Sequence, residues 1–241
     1  MNEAPIRLLI HGASGRMGSA LVRLSAEDAR VHVVAAVSRS GAPAIDTSVP
    51  WFRADAMGDV PAFDVVIDFS LPDGFDRVLA ICRQRGAALV SGTTGLEGRQ
   101  VMHLAEAALD IPVLWASNFS LGVVVLHELV RKVAAALPEW QADITETHHV
   151  HKLDAPSGTA LTLGQAAQAG SGRAPGIESV RRGQVVGEHT IRFRGAGETL
   201  ELRHAAEDRD IFARGALEAA RRLALQPAGQ FSLAGLLDVG A

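Results

Sequence analysis

Seven residues near the amino terminus, Gly12-Ala13-Ser14-Gly15-Arg16-Met17-Gly18, constrain what this chain can fold into more than any other segment. They follow the apolar run Ile6 to Ile10 and open the stretch Arg16 to Ala26, in which Met17, Leu21, Val22 and Leu24 recur at helical spacing. Strand, glycine turn and helix in that order start a parallel sheet, because a helix must carry the chain back before the next strand can run the same way. Further apolar runs at Val31 to Val37, Val65 to Phe69, Ala87 to Val90 and Pro112 to Trp115 read as buried strands. Helical stretches at Pro72 to Arg85 and Leu96 to Ala108 lie between them. The expected fold class is therefore α/β, with a Rossmann-like domain whose mainly parallel sheet is covered on both faces.

After Phe119 the pattern changes. A long helix over Gly122 to Leu137 leads to Asp143 to Val150, which alternates in character like a half-exposed strand. Gly170 to Gly176 reads as a surface loop, followed by paired strands near Glu188 to Arg194 and Thr199 to His204. A second, α+β domain with a largely antiparallel sheet is expected over 120–218. A final helix, about Phe212 to Leu225, and the tail would return the chain to the first domain, giving 1–119 and 219–241.

Composition limits the partners. The 241 residues carry 23 basic and 27 acidic side chains, a net charge of -4, and no basic run, so neither nucleic acid nor an anionic membrane is expected as a ligand. No segment approaches the roughly 20 apolar residues of a membrane helix, and Met1 to Arg7 lacks the features of a leader. With Cys82 as the single cysteine there is no intrachain disulfide. A cytoplasmic protein acting on small molecules is expected.

The glycine turn suits a dinucleotide: glycines let the backbone approach a pyrophosphate, and the amides at a helix start favour its charge. Gly12, Ala13, Ser14, Gly15, Arg16 and Met17 are the candidate contacts, although an ordinary turn before a helix would show the same spacing. At the end of the second strand, where a carboxylate often meets the ribose hydroxyls of NAD, this chain has Ser38-Arg39-Ser40. Arg39 could pair with the 2′-phosphate of NADPH, with Ser38 adding a hydrogen bond, or it could be a solvated loop residue. Later strands end at Asp68-Phe69-Ser70, at Gly92-Thr93-Thr94-Gly95 and at Ala116-Ser117-Asn118-Phe119. In a parallel sheet these ends converge on the ligand crevice, so Gly92, Thr93, Thr94, Ala116, Ser117, Asn118 and Phe119 are candidates to flank a nicotinamide and its ribose.

The segment richest in chemistry runs from Glu146 to Ala160: Glu-Thr-His-His-Val-His-Lys-Leu-Asp-Ala-Pro-Ser-Gly-Thr-Ala. On an extended strand Glu146, His148 and Lys152 would share a face and His149 would lie opposite, with the turn toward Asp154 disturbing that parity. Ser157 occupies a helix-cap position, so its hydroxyl and the amides of Gly158 and Thr159 could hold a carboxylate. Two plainer readings compete: three histidines as a metal site, disfavoured by the adjacent lysine and the lack of cysteine, or a polar strand edge before a capped helix.

The string His-His-x-x-Lys-x-Asp-Ala-Pro-Ser-Gly-Thr-Ala, joined to the glycine turn, resembles the signature of the dihydrodipicolinate reductase family. Gly92-Thr93-Thr94, Ala116 to Phe119 and Val186-Gly187-Glu188-His189 fall in the same order, so the resemblance spans nearly the whole chain. It implies NAD(P)H-dependent reduction of 4-hydroxy-tetrahydrodipicolinate, a cyclic imine dicarboxylate, in the diaminopimelate route to lysine. It implies His148 as acid/base, Lys152 as proton donor, and His149, Ser157, Gly158 and Thr159 as substrate-binding positions, with no metal. It also implies a homotetramer built through the second domain's sheet, and a hinge. The chain departs from the pattern in three places: Ser38 replaces an acid, the stretch from Gly170 to Ser179 is short, and Glu218 stands where a basic residue is expected. Two other readings are weighed. A semialdehyde dehydrogenase needs a nucleophilic cysteine, and Cys82 lies in the apolar helical run Val78-Leu79-Ala80-Ile81. A dinucleotide-binding redox sensor would have no use for Lys152 beside a carboxylate cradle.

Overall fold

A computed structural model describes residues 4–40 and 48–239; Met1 to Glu3 of the amino-terminal stretch lie outside it. The chain divides into two compact units. One ends at Phe119 and resumes over Phe212–Leu237, and the other holds Ser120–Ile211.

The first unit contains strands β1 (Ile6–His11), β2 (Val31–Ser38), β3 (Trp51–Arg53), β4 (Val65–Asp68), β5 (Ala88–Ser91) and β6 (Pro112–Trp115). Three helices lie between them in sequence: α1 (Arg16–Ser25), α2 (Pro72–Arg85) and α3 (Gly98–Ala107). Strand β11 (Gly229–Phe231) completes a seven-stranded sheet of order β11-β6-β5-β4-β1-β2-β3. Every pairing in it is parallel. Leu8, Leu9 and Ile10 of β1, like Val65, Val66 and Ile67 of β4, are fully buried, as central strands covered on both faces must be. Phe75, Val78 and Cys82 on one side of α2 pack with Leu9, Val66, Leu89 and Leu104 in one core cluster. Helix α2 begins with Pro72 in its first turn and ends at Gly86 in the left-handed conformation, a matched start and stop.

The strand order places β1 between β2 and β4, so the chain winds outward from β1 in both directions. The carboxyl ends of β1 and β4 therefore flank the topological switch point, where open α/β sheets hold their ligands. His11 and Asp68 are the last residues of these two strands and stand in register.

The second unit holds α4 (Leu121–Ala136), β7 (Gln141–His148), α5 (Gly158–Ser171), β8 (Gly176–Arg181), β9 (Gly187–Arg194) and β10 (Thr199–Ala206). Its sheet has the order β10-β9-β7-β8. The expectation of a largely antiparallel sheet needs correction: β10/β9 and β9/β7 are antiparallel, but β7/β8 is parallel, so the sheet is mixed. The cause is α5, a 14-residue crossover that returns the chain before β8 begins. Helix α5 runs to Ser171 and β8 begins at Gly176, so the stretch expected as a loop is irregular only between them. Leu126, Val130, Leu163 and Ala167 of the two helices pack with Ile144, Ile191 and Phe193 of the sheet. The helices approach closely at Gly170, where a Cβ would lie 2.5 Å from the Arg131 carbonyl oxygen. Helix α6 (Asp210–Leu223) leads back to the first unit, and α7 (Leu233–Leu236) follows β11. No helix among the described residues is long and apolar enough to cross a membrane.

Candidate active site

In the first unit, β1 runs into a turn held by the amides of Gly12 and Ala13, both donating to the Val37 carbonyl at 3.0 Å. Gly12 has φ +78, and a Cβ there would lie 2.5 Å from the Phe69 carbonyl oxygen. Gly18 packs tighter still, its missing Cβ falling 2.3 Å from the Gly12 oxygen. Helix α1 starts at Gly15 without a side-chain cap, so no side chain occupies the anion-favouring position at its start. A cavity of about 310 Å³ opens here, lined by His11, Gly12, Ser14, Gly15, Ser38, Arg39 and the Phe69–Gly74 turn.

The candidate residues are arranged as follows. Ser14, Gly15, Arg16 and Arg39 are exposed, Met17 is half-buried, and Ala13 and Ser38 are buried. Thr93 is buried, its carbonyl accepting from Trp115 Nε1 at 2.8 Å and its hydroxyl donating to Asp68 at 2.8 Å. Thr94 and Ser117 are exposed, while Gly92, Ala116 and Asn118 are half-buried. Phe119 packs edge-on against Phe69, with centroids 5.3 Å apart. Gly92 is where the Phe69 ring lies, since a Cβ there would be 2.2 Å from Cε1.

In the second unit, the face of β7 that contributes Ile144 to the core continues as Glu146 and His148. Glu146 and His148 share this face, and His148 Nδ1 donates to Glu146 Oε2. Glu146 is wholly buried and also accepts from Arg181 Nη2 at 3.0 Å and from the Ser157 amide at 3.3 Å. Burial pushes its carboxyl up, but the donors from Arg181, Ser179 and His148 outweigh burial and hold it below the usual carboxylate range. His189, opposite Glu146 on β9, packs edge-on against His148 with centroids 5.2 Å apart. Burial above all, with His148 adding repulsion, pushes His189 down to about 4.

Lys152 lies in the turn after β7, its ammonium donating to Asp154 Oδ1 at 2.7 Å. Arg181 holds this turn as well as Glu146, through Nη2 to the Asp154 carbonyl at 2.5 Å and Nε to the Lys152 carbonyl at 3.3 Å. His149 faces elsewhere, accepting from Arg209 Nη2 at 3.1 Å on Nε2. Burial, then Arg209, keeps its pKa below the ordinary histidine value. Ser157 caps α5, its hydroxyl accepting from the Ala160 amide at 3.2 Å and meeting His189 Nε2 at 3.2 Å. That hydroxyl is thus committed within the fold, whereas Gly158 is exposed and Thr159 half-buried at the helix start. Among the described residues no group of three or more His, Cys, Asp or Glu side chains is arranged to hold a metal.

Two family descriptions match the chain: "Dihydrodipicolinate reductase, N-terminus" over residues 6–119 and "Dihydrodipicolinate reductase, C-terminus" over 122–237. The chain belongs to the dihydrodipicolinate reductase family. A 4-hydroxy-tetrahydrodipicolinate reductase of Xanthomonas campestris pv. campestris (strain B100) is 58% identical over 98% of this chain and 100% of its own length. The enzyme of the same description from Stenotrophomonas maltophilia (strain R551-3) is 57% identical over 99% and 100%. Among solved structures, the dipicolinate-bound dihydrodipicolinate reductase from Paenisporosarcina sp. TG-14 shares the fold, with a TM-score of 0.84, 23% identity, and coverage of 95% of this chain and 97% of that one.

In this dihydrodipicolinate reductase, five residues that hold the geometry had no role legible in the sequence. Arg181 lies on β8, a strand not anticipated, 35 residues from its partner Glu146. His189 was noted only as part of a string, and Glu146 only for its parity. His11 and Asp68, 57 residues apart, form a buried pair at 2.8 Å. The available signal was a polar residue closing each of two mainly apolar strands. Glu218 also gains an account. It pairs with Arg221 at 2.5 Å and Arg222 at 2.6 Å along α6, and Arg222 in turn donates to the Leu236 carbonyl at 2.7 Å, tying α7 to α6. Cys82 is fully buried, and burial pushes its thiol up, far from a nucleophilic thiolate.

Proposed function

We propose that this chain catalyses the NADPH-preferring reduction of 4-hydroxy-tetrahydrodipicolinate to tetrahydrodipicolinate in the diaminopimelate route to lysine, in the cytoplasm. The observation that carries the reading is the Glu146–His148–Arg181 network beside the Lys152 turn and the start of α5. When bound, the nicotinamide would supply a hydride to the conjugated ring that the substrate presents once its 4-hydroxyl has left as water.

The first unit binds the dinucleotide and the second the dicarboxylate. The cradle fits: Gly12 and Gly18 let the turn pack directly against the Phe69 and Gly12 carbonyls, and α1 starts without a side-chain cap. Arg39, exposed at the rim with no carboxylate before it, offers its guanidinium to a 2′-phosphate. Gly92, Thr94, Ala116, Ser117 and Asn118 offer small polar surfaces to the nicotinamide and its ribose.

In the second unit, the amides of Gly158 and Thr159 and the Lys152 ammonium grip the substrate carboxylates. Glu146 accepts from His148 Nδ1, which fixes the ring and leaves Nε2 for the substrate. His148 or Lys152 then gives its proton to the carbon next to the one that receives hydride, a contribution of roughly 10² to 10⁴ in rate. Arg181 keeps both donors placed, since it binds Glu146 and the carbonyls of the Lys152 turn together. The face of the second unit's sheet opposite α4 and α5 carries Thr145, Thr190, Arg192 and Arg203, and we assign it the contact of a homotetramer.

The test is NADPH oxidation followed by absorbance, with substrate formed in the cuvette by the preceding synthase from pyruvate and aspartate semialdehyde. Oxidation that depends on the synthase is expected. A folded protein that binds dinucleotide yet oxidises neither NADPH nor NADH would overturn the assignment.

A further inference from the structure

The buried pair of His11 and Asp68 lies at the switch point of the first unit's sheet and has no part in the roles assigned above. Asp68 is 0% exposed, and both carboxylate oxygens are filled: Oδ1 accepts from His11 Nδ1 at 2.8 Å and the Ser70 amide at 3.1 Å, Oδ2 from Ser91 Oγ at 2.9 Å and Thr93 Oγ1 at 2.8 Å. Despite burial, the donors around Asp68 hold its carboxyl below the usual carboxylate range, and His11 Nδ1 is one of them.

Because the carboxylate only accepts, Nδ1 of His11 carries a proton and the ring orientation is fixed. Nε2 has no hydrogen-bond partner among the described residues, and His11 lines the same cavity as Gly12, Ser14 and Gly15. The ring also explains Gly74, where a Cβ would approach His11 Cε1 to 3.0 Å. We propose that His11 is a cofactor-binding residue whose Nε2 donates to the pyrophosphate of the dinucleotide, and that Asp68 is its positioning residue. The proposal rests on the dinucleotide reading of this unit.

Donation from Nε2 while Nδ1 also donates places an imidazolium between two anions, the Asp68 carboxylate behind it and the pyrophosphate in front of it.

The experiment measures binding to the full-length protein by NADPH fluorescence and by calorimetry. His11→Asn, which reaches Asp68 but not the cavity, weakens NADPH about tenfold; His11→Gln, whose amide extends toward the Nε2 position, recovers part of the affinity. The loss is shared by ADP-ribose, which has the pyrophosphate, and not by adenosine 2′-monophosphate. In wild type, the His11 Nε2 resonance in a nitrogen-15 spectrum moves on NADPH addition, a readout that survives even if a variant fails to fold. Unchanged affinity in His11→Asn, a resonance that stays in place, or a loss confined to NADPH with ADP-ribose unaffected each overturns the proposal. Failure of wild type to bind any dinucleotide is a different result, which removes the underlying reading as well.

Discussion

Glu146 touches no solvent, yet it orders three different partners: an imidazole, a guanidinium and a backbone amide. Replacing it by glutamine keeps the shape and removes the charge that holds these donors. Glu146→Gln is expected to lower kcat by about 10² with NADPH binding unchanged. An unaltered kcat would reduce Glu146 to packing. Arg39 works by a different contact, and Arg39→Ala should raise KM for NADPH far more than KM for NADH; equal effects on both would remove the 2′-phosphate assignment. His189 makes a prediction about stability. Its folded pKa of about 4 lies below its ordinary 6.5, so the unfolded chain binds the extra proton first. The stabilisation is complete above pH 6.5 and is lost as pH falls toward about 4, on the order of 2–3 kcal/mol for a group so fully enclosed. Denaturant titrations across that range should show a steeper acid decline in wild type than in His189→Asn, and parallel curves would refute it.

At the scale of elements, the turn between β1 and α1 is the least forgiving part of the fold. Gly18→Ala would place a methyl 2.3 Å from the Gly12 oxygen and 2.4 Å from the Ala13 Cα, both backbone atoms that have no side-chain freedom to yield. Dinucleotide affinity should fall by at least about tenfold, measured by NADPH fluorescence, with a lower thermal midpoint. The turn and its helix were legible from sequence because glycine spacing and apolar periodicity are local signals. Helix α2 matched its expected limits, Pro72 to Arg85, since its proline start and glycine stop are both local. Strands β3 and β11 were not legible: each has three residues, and pairing with β2 or β6 defines them more than their own composition does. Strand β8 hid behind glycine, serine and glutamate at a sheet edge, where one face is exposed and alternation is weak. The same limit applied to the chemistry. The segment from His148 to Thr159 announced itself as one string, but Arg181 meets Glu146, and Asp68 meets His11, only after the sheets form.

On the scale of the whole molecule, the second unit is inserted into the first, whose parallel sheet is finished by β11 near the end of the chain. Ending the chain after Leu225 would strip β6 of its neighbour and Arg222 of the Leu236 carbonyl. Such a chain should melt roughly 5–10 °C lower, read by thermal denaturation, and a midpoint within about 1 °C of wild type would show that the tail adds nothing. The insertion also sets an order of events during synthesis. At about 5–20 residues per second, a ribosome completes Ser120–Ile211 before it has made the helix that buries Ala213, Ala216, Ala220 and Leu223 or the strand that closes the sheet. The part of the protein translated first is thus the part completed last, and a nascent chain stalled near its end would present a finished second unit beside a parallel sheet still lacking its border.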